Sequence, residues 1–367
     1  MTKRNQEISS GANSNNYQGE NLTIVHNHIT QFDEEKAKQI SEYSAKQIIE
    51  EYFSNADELA QKRMNDFENR FIPKLAEIEN ALEIFNDPAF KLVYRKAQIQ
   101  AATTTRESDY NILSELLIHR YKKQNNKASC IGINGAVDIV EQISDESLVA
   151  LTVITTILID TYPITSNITE GLKVMNKLFE SLLICDLPNN NDWLDQLDIL
   201  RAIRLNSFGK LKKLKEFYLQ NLDGYFCVGI DKESENYQQA INLLKPYGLE
   251  NIFVDHELID NHVRLPLTKA TEIDKLFKKT QPNGINLPLS KEEKECLHKV
   301  IDLYDKTADK KNIVLNKFYE KLDMFPALKA IRDWWDKIPN GFSITSIGRV
   351  LGHANAQKCY PGFPPLD

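Results

Sequence analysis

From Asp33 to Phe85 the chain runs without a glycine and with a single proline, Pro73. So long a stretch almost free of the two residues that most readily interrupt helices reads as long helix. Ala60, Met64, Phe67, Phe71, Leu75, Ile78, Leu82 and Phe85 follow one another at steps of four or three, which lays one apolar stripe along one face. Two readings of the stripe stay open. It packs the helix onto the body of its own domain, or it forms a coiled-coil seam with another subunit, the successive four-residue steps acting as a stutter. Pro73 lacks a backbone donor and is expected to kink or restart the rod.

Ahead of this helix lies a segment of opposite character. Between Ile8 and Gln31 the only charged residue is Glu20, amid Asn, Gln, Ser, Gly and β-branched residues. Asn and Gln ladders, the apolar Leu22, Ile24, Val25 and Ile29, and the absence of proline suit in-register stacking of identical strands. Lys3 and Arg4 precede a polar run and not an apolar one, so no secretory signal peptide is expected.

At 367 residues the chain exceeds what one hydrophobic core usually serves, about 250 residues, so more than one domain is expected. A net charge of -7 argues against a surface that tracks nucleic acid throughout, while leaving room for a local basic patch. Cys130, Cys185, Cys227, Cys296 and Cys359 form no CxxC, and an odd count suits reduced thiols in a cytoplasmic protein better than a disulfide framework. The most apolar run, Leu148 to Ile159, is about half the roughly 20 residues a bilayer crossing needs, and reads as a buried helix.

Asn86-Asp87-Pro88 is a turn and N-cap signal for a helix to about Ala102, followed by another from Ser108 to Lys123. Helical segments follow over 136–142, 146–162 and 169–185, then over 193–205, 211–222 and 290–322. Ile252 to Val254 and Val263 to Leu265 read as small strands, and Phe342 to Ile347 as a strand that passes into a helix at Gly348 to Gln357. The expected fold class is therefore mainly α. A flexible, β-prone tail, either amyloid-like or simply disordered (1–31), precedes a helical-hairpin domain headed by the long amphipathic helix (32–188). A helical region with short strands (189–289) and a smaller α+β C-terminal domain (290–367) complete it. Trp334-Trp335 is expected to anchor the last core, one ring inward and one partly exposed.

No Walker loop, GxGxxG or HExxH occurs, so no motif names a reaction, and no cofactor or metal is expected. His256-Glu257 with His262 has the wrong spacing for two helical zinc ligands, which need a step of three or four and not six to share a face. Arg349 and His353 are four apart, which on a helix puts both on one face where a phosphate could be met. The pair resembles the Arg-x4-6-His ribonuclease signature of HEPN domains, one residue short. From Arg201 to Lys215 stand Arg201, Arg204, Lys210, Lys212, Lys213 and Lys215 with no acid, a candidate phosphate-binding face.

The run from Gly11 to Ile24 resembles the amyloid signalling motifs of bacterial and fungal immune proteins and the RHIM core of animal necrosis signalling. In those families a Gln-x-Gly or Gln-Gly step bends a β-arch that polymerises. The resemblance implies a bend at Gln18-Gly19 and self-assembly through Asn15, Asn16, Tyr17, Gln18, Gly19, Asn21, Leu22, Ile24 and Val25, with Tyr17 standing where the RHIM core has Ile or Val. The body resembles an uncharacterised bacterial family through Pro88-Ala89-Phe90 to Ala97, Ile131 to Leu158, and Ile344 to Gly348 with His353-Ala354-Asn355. Ile344-Thr345 with Gly348 also resembles the strand-to-helix close of a winged-helix domain, which implies DNA binding as the alternative. The expectation is a non-enzymatic scaffold in antiphage or stress signalling. It would form homo-oligomers or recruit an effector with a matching motif, with no membrane contact.

Overall fold

The computed structural model describes residues 31–159, 165, 167–206, 209–279 and 286–366. Two units are distinguished, Met1–Leu59 and Ala60–Asp367. In the first, the described residues belong to the leading part of helix α1 (Gln31–Ala76), and every side chain from Ser41 to Leu59 is exposed. Its internal contacts are local, such as Gln47 Nε2 donating to Tyr43 Oη at 3.2 Å.

Ala60–Asp367 is built mainly from helices. α1 passes through Pro73 and ends at Ala76, and Asn80 takes a left-handed conformation (φ 57°) before a 3-10 turn over Ala81–Asn86. The helical stretch expected as far as Phe85 is thus interrupted after Ala76, three residues beyond the Pro73 where a kink or restart was expected. Five helices follow: α2 (Pro88–Thr103), α3 (Asp109–Lys122), α4 (Lys127–Ile139), α5 (Asp145–Leu158) and α6 (Ile168–Leu182). Their starts are written in the sequence. Asp87 accepts from Ala89 N and Phe90 N ahead of Pro88, and Asn126, Ser144 and Asn167 cap the next three starts after α3 in the same manner. The apolar run around Leu148 lies in α5, buried from Ser147 to Ile157. Among the described residues, no helix is long and apolar enough to cross a membrane.

α7 (Asp192–Ile199) stops at Arg201, whose φ of 59° is left-handed, and β1 (Ile203–Asn206) begins two residues later. A helix was expected to run on to Leu205; the left-handed residue and β-branched Ile203 turn the chain into a strand instead. β1 pairs antiparallel with β7 (Gly341–Ile344), Ile203 opposite Ile344 and Asn206 opposite Gly341. Between these strands come α8 (Leu214–Asn221), α9 (Asp223–Phe226), β2 (Ile230–Asp231), α10 (Glu235–Leu244), β3 (Val254–Asp255) and β4 (His262–Arg264), then β5 (Phe277–Lys279), β6 (Asn286–Pro288), α11 (Lys291–Asp302), α12 (Ala308–Asp323) and α13 (Pro326–Trp335). β2, β4 and β3 form a three-stranded antiparallel sheet in that order, and β5 pairs with β6.

α14 (Ser346–Cys359), the last helix in the chain, packs against α3, α4, α5 and α6 and is buried from Val350 to Ala356. Small residues allow this position: a Cβ on Gly348 would stand 2.0 Å from the Ala202 carbonyl oxygen, and one on Gly352 would stand 2.4 Å from Thr155 Oγ1. A recognition helix must present a face to DNA, and α14 is enclosed. Its strand β7 pairs with distant β1 and not with a neighbouring hairpin, so the strand-to-helix close does not build a wing.

One hydrophobic core runs from Phe67 through Leu151, Trp193 and Tyr218 to Phe318, Leu351 and Phe363. A second, smaller core gathers Ile230, Leu244, Val263, Leu297 and Val300 around the three-stranded sheet. The expected boundaries at 188/189 and 289/290 thus fall inside shared cores. The smaller core belongs to an insertion of roughly 230–304, and 308–366 returns to the main helical body.

Candidate interaction surfaces

Phe67 and Phe71 of α1 are fully buried, their rings stacked 5.9 Å apart, with Tyr94 5.8 Å from Phe71. Leu75, four residues on, is also buried, so this part of the stripe serves the chain's own core. Eighteen residues make five helical turns, so Ile49 and Phe53 repeat the azimuth of Phe67 and Phe71 on the same helix. Both are nevertheless bare: Ile49 is 48% exposed and Phe53 67%, while Ile48, Tyr52 and Leu59 stand at 47%, 66% and 48%. At 100° per residue these side chains with Ala56 span an apolar band about 140° wide, broader than the stripe of an ordinary surface helix. The sequence reading began its stripe at Ala60 and missed this extension, although the signal was there in the steps Ile49, Phe53, Ala56, Ala60.

The basic run is fixed by neighbours that leave its charged side chains exposed. Leu214 is buried, its N–H donates to Asp336 Oδ1 at 3.0 Å, and Trp335 Nε1 donates to the Lys212 carbonyl at 2.8 Å. Trp335 is buried and Trp334 only half-buried, as the sequence suggested, and both belong to the core that holds this loop. Arg201, Arg204, Lys210, Lys212, Lys213 and Lys215 are all exposed. Lys213 donates to the Asp336 carbonyl, Lys212 reaches Gln220 at 3.4 Å, and the Lys215 ammonium lies 5.7 Å from the Tyr319 ring centre. Among the described residues none of the six makes a salt bridge, which sets them apart from Arg106, bridged to both Asp109 and Asp145.

Arg349 and His353 do not share a surface. Arg349 is exposed, whereas His353 is 1% exposed, its ring 5.6 Å from His119 and 5.1 Å from Phe363 inside the helical body. Burial pulls the pKa of His119 down despite Glu115 and Gln357 beside it. A histidine enclosed this way reaches no RNA phosphodiester, so the four-residue step does not make a nuclease pair here.

The second histidine motif is structural too. His256 Nε2 meets the Cys227 carbonyl at 2.8 Å and Nδ1 accepts from Leu258 N at 3.1 Å, and burial lowers its pKa to about 4. Glu257 instead caps α6, accepting from Ile168 N (2.5 Å), Thr169 N (3.1 Å) and Thr169 Oγ1 (2.6 Å), with Lys321 3.5 Å away. Burial opposes ionisation of Glu257, but these donors outweigh it and its pKa lies below the usual glutamate value. The five cysteines are unpaired thiols; burial pushes Cys227 up to about 12, and raises Cys185, Cys296 and Cys359, against any nucleophilic use. No cluster of metal-ligating side chains occurs among the described residues. The expected self-assembly residues, Asn15 to Val25, lie outside the described residues.

The model of an uncharacterised protein family matches residues 32–366. The chain belongs to that family. The matched span takes in α1 almost from its start and the whole helical body, and excludes the Asn-rich segment. No curated protein and no solved structure matches the chain.

Proposed function

We propose that this protein is a non-enzymatic interaction scaffold that self-associates through its N-terminal segment, and that the Asn15–Val25 motif recruits further copies or an effector with a matching motif. The setting we assign is bacterial antiphage or stress signalling. The observation that carries the reading is the bare apolar band Ile48–Leu59 on α1, which has the residue types of a helix interface and no covering partner among the described residues. The test is sedimentation of the full chain beside a tail-deleted chain and a Thr23→Pro variant, with thioflavin fluorescence and electron microscopy of a 1–31 peptide. The reading expects cross-β fibres from the peptide, and large assemblies that are lost in both variants while the body stays folded. A soluble peptide and unchanged sedimentation would sink it.

A second reading, nucleic-acid binding, is favoured by the six unbridged cations between Arg201 and Lys215. It expects retention on RNA or DNA at low salt, with log K falling against log salt by about 0.9 per neutralised duplex phosphate. Reversing Arg201, Arg204 and Lys210 to Glu should reduce that slope by two to three. No retention at low salt would remove the reading.

A further inference from the structure

Where the two cores meet, α8, α9, the segment after β4, the end of α11 and the start of α12 enclose a cavity of about 540 Å³. Its volume lies within the range of small-molecule sites, roughly 300–1,000 Å³. Leu219, Leu267, Ile301 and Leu315 supply apolar walls from four separate segments.

The polar groups on this wall differ in how fully they are used. Asp223 accepts from Ala270 N at 2.8 Å, and Asp305 accepts from Thr307 N at 2.8 Å and pairs with Lys310 at 2.8 Å, so both carboxylates have internal partners. Three donors do not. Tyr304 Oη accepts from Leu265 N at 2.7 Å, yet among the described residues no acceptor takes its own proton. Lys306 and Lys311 line the cavity, are exposed, and have neither a hydrogen bond nor an ion pair from their ammonium groups among the described residues. Apolar walls, one spare hydroxyl donor and two spare cations together are complementary to a ligand with a hydrocarbon body and a single anionic head.

We infer that this cavity binds a free medium-chain carboxylic acid, its chain against Leu219, Leu267, Ile301 and Leu315 and its carboxylate taken by Tyr304, Lys306 and Lys311. The inference concerns the helical body alone and stands whether or not the N-terminal segment assembles. Calorimetric titration of the full chain with decanoate, and with decanol as the uncharged counterpart, tests it. Decanoate should bind with one equivalent per chain, and decanol about tenfold more weakly. The Lys306→Glu/Lys311→Glu double variant should lose about tenfold in decanoate affinity while its affinity for decanol holds. Leu315→Trp fills the cavity and should abolish binding with circular dichroism unchanged; should that variant misfold, Ala270→Phe fills the same space from another lining segment. No heat from decanoate, equal affinity for decanol, or undiminished decanoate binding by the folded cavity-filled variant would each overturn the inference.

Discussion

Phe53→Ser on α1 gives the most direct view of whether the bare helix face is an interface. An aromatic side chain buries 150–250 Å² when covered. Phe53 is 67% exposed, so roughly 100–170 Å² of its surface waits for a partner. At about 25 cal/mol per Å², covering half of that contributes around 1.5 kcal/mol per copy. A symmetric dimer uses the residue twice, so the substitution should cost about 3 kcal/mol of association, a loss of roughly a hundredfold in Kd. Folding should be spared, because Phe53 belongs to neither hydrophobic core. The assay is sedimentation equilibrium on a chain starting at Gln31, which removes the tail, with thermal unfolding as the folding control. Leu92→Ser is the matched control, since Leu92 is 59% exposed on α2 and is not part of the band. A wild-type chain that stays monomeric at every concentration, or a Kd changed less than threefold by Phe53→Ser, refutes the reasoning. So does an equal effect of Leu92→Ser.

Glu257→Gln should lower stability by about 2 kcal/mol in urea at neutral pH, because it takes charge from a carboxylate that accepts two backbone N–H groups and a hydroxyl at the start of α6. Its folded pKa is depressed, so that stabilisation is complete above the ordinary glutamate pKa and is lost as pH falls through the folded value; a difference from wild type that persists undiminished at pH 2 would contradict the assignment. Gly348→Ala should destabilise by about 3 kcal/mol, since its Cβ would stand 2.0 Å from a backbone oxygen on the segment before β1; a melting temperature equal to wild type would show that α14 has room the structure denies it.

Local signals carried most of the helices. Asp87-Pro88 fixes the start of α2 through its cap, and Phe67, Phe71 and Leu75 mark the face that α1 buries. What failed were features decided by contacts remote in sequence. Ile203–Asn206 sits between two helices and becomes a strand only because Gly341–Ile344 returns to pair with it, a partner no local window contains. The central position of α14 depends on Gly348 and Gly352 meeting Ala202 and Thr155, which reads locally as poor helix propensity and not as close packing. The same enclosure buries His353 while leaving Arg349 in solvent, so periodicity alone made a pair that the tertiary fold separates. The cavity drew its walls from segments between Leu219 and Leu315, with no motif to announce them.

Hydrophobic periodicity says that a face needs covering and leaves open what covers it. Within α1 the pattern has two fates: the side chains around Phe71 are buried in the core, and those around Phe53 are exposed among the described residues. A single short helix face is a weak dimer contact when copies meet from dilute solution, because association must first offset lost translational freedom. Tethering changes that balance. If stacking of the Asn15–Val25 segments holds neighbouring copies at an effective concentration on the order of 1 mM, a helix contact with a Kd of about 100 μM is already some nine-tenths formed. The proposed arrangement therefore needs neither element to be strong alone, and it places the Asn-rich segment and the bare band next to each other in the chain for a physical reason: each raises the occupancy of the other.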